Sequence, residues 1–297
     1  LLASLTLAST NAEWNEMGEK DLDFEVFITP VSDILKEGIS VNNSKSAVID
    51  QFGHVFGFTS NRYKPLSYAD TVASQNEAIY DSGIDLRGMR VKWSKSSDGG
   101  RMKRYITFPS ATIEPVVGDI TQFGLELYNS YDSSYCYESA TKAFRLWCLN
   151  GCTTPEHTYN SRRKHTTNIS ISGETAKLQL GIDAFYDSES RYQKWSRTPI
   201  LKSSVERLFK KTLTAKEGGK FPYAVTSFDN LMVDWKNTER DMGSNAWSAY
   251  NVATAWATHA KPKRGGFKEN LVRTRNAKVA SMLKSDYWKE LVDGTNV

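Results

Sequence analysis

The sequence predicts an α+β fold, with a hairpin-rich antiparallel sheet in the N-terminal half and a helical C-terminal half. Two patterns and their order carry that prediction. Short runs that alternate apolar and polar residues fill much of the first half, as in Met89-Arg90-Val91-Lys92-Trp93. Apolar residues at three- and four-residue spacing fill the last third, as in Leu201, Val205, Leu208 and Phe209. Strands gathered first and helices gathered last define the α+β class. The composition, 39% hydrophobic and 24% charged, is enough to bury a sizeable core.

Residues 13–25 hold Glu13, Glu16, Glu19, Asp21, Asp23 and Glu25, an acidic stretch that solvates well. It leads into a strand at 24–28, stopped by Pro30. Ala47 to Asp50 and His54 to Phe58 read as a hairpin turning near Gly53. Tyr68 to Ser82 has the spacing of a helix. Arg87 to Phe108 is the clearest hairpin, its two strands joined by a polar connection that ends in Gly99-Gly100. Alternation places Arg90 and Lys92 on one face of this ribbon, and Val91 and Trp93 on the other.

More sheet is expected from Ile113 to Tyr128. Ser139 to Leu149 fits either a helix or a buried strand. A polar, basic loop runs from Thr153 to His165, and a helix is expected near 175–186. Thr198-Pro199 then offers a cap and first turn for a helix with Leu201, Val205, Leu208, Phe209 and Thr212 inward, stopped by Gly218-Gly219. Further helices are predicted over 222–236, over 244–260 with Ser244 as cap, and over 268–292 as one long element. The segments expected are an acidic N-terminal piece at 1–46, an α+β core at 47–190 and a helical region at 191–297. Leu1 to Ala8 could be the tail of a signal peptide but has no basic run before it; a packed terminal element is the plainer reading.

No run of about 18 apolar residues exists, so no membrane helix is expected. Three cysteines, Cys136, Cys148 and Cys152, argue for a reducing compartment rather than a disulfide framework. The net charge of +4 is uneven. Residues 1–91 hold 7 Lys and Arg against 13 Asp and Glu, a net −6; the remainder holds 31 against 21, a net +10. A basic body points to an anionic partner, of which nucleic acid is the commonest.

Binding a single strand needs cations that follow its phosphates and flat side chains that stack on bases. The candidates are Arg90, Lys92, Lys95, Arg101, Lys103 and Arg104 on one hairpin, with Trp93 and Tyr105 among them. Arg162, Arg163 and Lys164 form a second cluster, and Lys261, Lys263 and Arg264 a third. Cys148, Cys152, His157 and His165 offer a weaker alternative as zinc ligands, at a spacing off the common pattern. Arg145 reads as an ion-paired strand residue and His259 as a helix-end histidine. Asp183, Asp187 and Glu189 fit one exposed helix end. No nucleophile elbow and no phosphate loop is present, so no catalytic residue and no cofactor is expected.

Four segments resemble a known family: Gly57 to Leu66, Val117-Gly118-Asp119, Arg145 to Gly151 and Asn245 to His259. In order and spacing they are similar to the phage/plasmid-like family called domain of unknown function 932, over about residues 47–275. The resemblance implies a host-cytoplasmic protein of phage or plasmid origin. It also suggests kinship with phage single-strand annealing proteins of the Redβ, Erf and Sak types, which form rings and hold single strands in a basic groove. The expectation is therefore a homo-oligomeric single-stranded DNA-binding or annealing protein. The alternatives are a phage protein that binds a host factor, and a metal-dependent enzyme on nucleic acid.

Overall fold

The computed structural model describes residues 22, 24–34, 45–96, 98–146, 150–152, 160–166, 168–171, 173–215, 222–259 and 268–293. The first sheet has three antiparallel strands, β1 (Val26–Pro30), β2 (Lys45–Asp50) and β3 (Val55–Ser60), in that spatial order. A short helix, α1 (Val31–Ile34), follows β1. The expected β2–β3 hairpin forms. Asp50 Oδ1 accepts the N–H groups of Phe52 and His54 at 2.9 and 2.8 Å, and Gly53 takes φ +84°.

The second sheet runs β4 (Arg90–Lys95), β5 (Arg101–Val116), β6 (Asp119–Ser130), β7 (Tyr137–Arg145) and β8 (Asn150–Cys152), with β9 (Asn160–Arg163) also paired to β7. The ambiguous stretch before residue 146 is thus a strand. Helix α2 (Tyr68–Asp81) starts at Ser67, whose hydroxyl accepts the Asp70 N–H. It buries Val72 and Ile79, and also the polar pair Gln75 and Asn76.

Helix α3 (Glu174–Arg197) continues well past the expected end near 186. Its later turns carry Tyr192 and Trp195, both buried, which make the extension worth forming. Asp183, Asp187 and Glu189 therefore lie within one long helix, not at its end. Thr198 closes that helix by donating to the Lys194 carbonyl, and Pro199 bridges to Asn245. The next helix, α4 (Lys202–Leu208), is capped by Leu201, which is 74% exposed instead of inward. It runs on as a π-helical turn, Phe209–Leu213.

Helices α5 (Val225–Met242) and α6 (Ala246–Thr258) follow. Asn245 caps α6 by accepting the Ser248 N–H at 2.8 Å, while the Ser244 hydroxyl donates to the Ile200 carbonyl. The expected long last helix is two, α7 (Lys268–Lys284) and α8 (Asp286–Asp293). Ser285 makes the break: its hydroxyl donates to the Met282 carbonyl and accepts the Trp288 N–H. No helix among the described residues is long and apolar enough to cross a membrane.

Contacts divide the chain into two compact units that interleave along the sequence. The first takes described residues through 111, then 123–141 and 160–183. Its core includes Val48, Phe56, Val72, Met102, Leu127 and Tyr137, with Tyr68 stacked on Tyr131 at 4.1 Å. The second takes 112–122, the described part of 142–158, and residues from 184 onward. It is built around α6, which is buried on nearly every side and packs on α5 and α7. Its centre is aromatic: Tyr192, Trp195, Trp247, Tyr250 and Trp288.

Candidate nucleic-acid interface

The β4–β5 register pairs Arg90 with Thr107, Lys92 with Tyr105 and Ser94 with Lys103. Side chains at paired positions share a face. Arg90 and Lys92 are exposed on the outer face, beside the half-buried Tyr105. Val91 is buried on the inner face, as the alternation requires. Lys95 is exposed at the end of β4, opposite Met102 and so on the inner-face side.

Half of the hairpin's expected DNA contacts are committed elsewhere. Arg104 is 1% exposed, on the face turned to α2. Its Nη1 donates to Gln75 Oε1 at 2.9 Å and its Nη2 to Asn76 Oδ1 at 2.6 Å, while the guanidinium lies 5.1 Å over the Trp93 ring. Lys103 is on the outer face but buried. Its ammonium is 3.7 Å from Glu126 Oε1 and sits over the rings of Tyr105 and Tyr128 at 4.1 and 4.7 Å. Arg101 is ion-paired with Asp132. A cation that enters a packed face must find acceptors there, since an unpaired buried charge costs several kcal/mol. Lys103 and Arg104 are structural, and Arg101, part-exposed, is held by its pair with Asp132. Trp93 is half-buried against the core with its indole N–H enclosed, so it is no open platform for a base.

At the far edge of the same sheet, β9 pairs Arg162 with Glu138 and Arg163 with Tyr137. Tyr137 is in the core with Met102, so Glu138 and Arg162 look out on the face that carries Lys92. Arg162 remains exposed, its Nε 4.0 Å from Glu138 Oε2. Arg163 is half-buried on the core side and Lys164 is exposed. Strands β5, β6 and β7 separate β4 from β9, about 19 Å at the usual strand spacing. Lys261, Lys263 and Arg264 lie outside the described residues.

Of the zinc alternative, Cys148, His157 and the Cys152 side chain also lie outside them. His165 is described, and it is occupied. Its Nδ1 is 3.2 Å from the Lys64 carbonyl, and its ring stacks on Tyr63 at 5.0 Å. Among the described residues no group of three or more His, Cys, Asp or Glu could hold a metal. Burial holds the His165 pKa below its ordinary value of 6.5, so folding favours the neutral ring. Stability is then complete above 6.5 and falls as pH drops toward the folded-state value, where the unfolded chain takes up a proton first. His165→Phe keeps a ring on Tyr63 and should flatten that loss in urea titrations above and below 6.5. Equal pH dependence in the two proteins would show that His165 is not the group responsible.

The four resembling segments have clear physical roles. Val117-Gly118 joins β5 to β6, with Gly118 at φ +81°. The carboxylate of Asp119 is ion-paired with the Arg145 guanidinium and accepts the Trp247 indole N–H at 2.7 Å. All three are buried, so three separate segments meet in one charged cluster within the second unit. Arg145 is thus the ion-paired strand residue expected, and His259 does close α6. In the first unit a Cβ on Gly57 would meet Asp132 Cα at 3.0 Å, and the Tyr63 hydroxyl donates to the Ser130 carbonyl. Nothing in the sequence marks Glu126, Asp132 or Gln75 as partners; strand register, the turn after β6 and the docking of α2 bring them in.

No curated protein matches the chain, and no solved structure matches it. A family model does, over residues 55–285, a span that holds all four segments and the Asp119–Arg145–Trp247 cluster. The chain belongs to the family described as Domain of unknown function (DUF932).

Proposed function

We propose that this protein binds single-stranded DNA on the outer face of the second sheet and presents it for annealing, as a homo-oligomer in the cytoplasm of a host cell. The observation that supports this reading most is the pair Arg90 and Lys92. Both are exposed, on one face of an edge strand, beside Tyr105. Two residues along a strand is about 7 Å, of the order of successive phosphates on an extended single strand. Arg162 and Lys164 add exposed charge at the opposite edge. Cations held on a rigid sheet displace counterions from the phosphates and leave the base edges free to pair. Arg101, Lys103, Arg104 and Trp93 have no part in this contact.

Fluorescence anisotropy with a labelled oligonucleotide tests it. The double variant Arg90→Ala/Lys92→Ala should bind about tenfold more weakly, for all base compositions alike. Both side chains are exposed, so the fold should be unaffected. Unchanged affinity in the double variant, or no binding by the parent protein at low salt, would reject the proposal.

A further inference from the structure

The first sheet is apolar on both faces. Its register shifts at Val48/Ile49, so that Val48 and Phe56 enter the core together. The same register leaves Phe27, Ile49 and Val55 side by side on the other face. Thr29 and Phe58 flank the small, buried Ala47 one row along. Phe27 is 45% exposed, Val55 38% and Phe58 64%; Phe52, in the turn of the hairpin, is 80% exposed. An antiparallel sheet with one face in water carries polar residues there. The outer face of this sheet breaks that rule, and it lies wholly within the first unit.

At about 200 Å² for a whole phenylalanine side chain, the patch exposes about 300–450 Å² of apolar surface, the upper figure counting Phe52. One side of a standard protein interface buries about 800 Å², a little over half of it apolar. The patch is therefore close to the apolar part of one such side. Charge on this face is confined to its two ends. Lys45, opposite Ser60, is exposed beyond the Phe58 row. By alternation along β1, Glu25 is on the same face, exposed beyond the Phe27 row. Among the described residues neither has an ion-pair partner.

We infer that a second copy of this chain packs on this face, sheet against sheet, about a two-fold axis that crosses the strands between the Phe27 and Phe58 rows. Such an axis reverses the strand direction, so it turns Lys45 of each copy toward the Glu25 end of the other. The two are one strand apart, about 4.8 Å sideways, which a lysine side chain spans. A face with opposite charges at its two ends is complementary to itself in this arrangement. The inference rests on the homo-oligomer of the proposed function and names its interface. It uses no residue of the Arg90 and Lys92 surface.

Sedimentation velocity of the full chain at micromolar concentration tests it. The parent protein should sediment as a dimer or a multiple of one. Phe58→Lys places like charges at the centre of the interface and should halve that mass; the side chain is 64% exposed, so the fold should stay intact. Lys45→Glu and Glu25→Lys should each weaken association about tenfold, and the double variant Lys45→Glu/Glu25→Lys should restore it, because the pair is then only reversed. Arg90→Ala/Lys92→Ala should leave the mass unchanged, which separates this face from the DNA contact. A monomeric parent protein overturns the inference and the homo-oligomer together, and means that another segment or a different protein covers the face. An oligomer whose mass Phe58→Lys leaves unchanged, or a double variant as weak as the single ones, overturns the inference alone.

Discussion

Asp119→Ala will destabilise the second unit by about 3–5 kcal/mol, the largest effect expected from one substitution in this chain. The carboxylate has two buried clients, the Arg145 guanidinium and the Trp247 indole N–H. Removing it strands a charge and a donor together. The loss is that of breaking a buried pair, which far exceeds the net worth of forming one. Arg145→Met made on top of Asp119→Ala should therefore recover part of the loss, because it deletes the stranded charge. Urea unfolding followed by tryptophan fluorescence reads both. A loss of less than about 1 kcal/mol in the single variant would mean that water reaches Arg145.

Arg104→Met will cost the first unit about 2–4 kcal/mol and leave DNA affinity unchanged. Methionine keeps most of the stem but none of the donors. Gln75 Oε1 and Asn76 Oδ1, both in buried side chains of α2, then lose the guanidinium N–H groups they accept. The contact over Trp93 goes as well. Urea midpoints and anisotropy on one preparation separate the two roles. If Arg104 touched phosphate, the variant would bind weakly and unfold normally, the reverse of the expected pair of results.

Much of the fold was legible in the sequence. Alternation from Met89 to Trp93 sorts Arg90 and Lys92 from Val91 and Trp93 correctly, because period two is a local property of the strand. The sequence suggests Ser244 as the cap of α6, but Asn245 takes that place, with Ser244 drawn to the Ile200 carbonyl and Asn245 bridged to Pro199. Ser285 breaks a helix through its hydroxyl, with no Gly or Pro to mark the spot. The site was less legible. A lysine or arginine in a hairpin looks the same in sequence whether it meets water, Glu126 or Gln75. Those partners lie 20 to 30 residues away and arrive through strand register and helix docking.

The salt dependence of oligonucleotide affinity tests the proposed function most directly. For single strands the slope of log affinity against log salt is about −0.7 for each phosphate neutralised. The parent protein should show a steep negative slope, and Arg90→Ala/Lys92→Ala a slope shallower by about 1.4. A parent slope near zero, or the same slope in both proteins, would contradict a phosphate contact at Arg90 and Lys92.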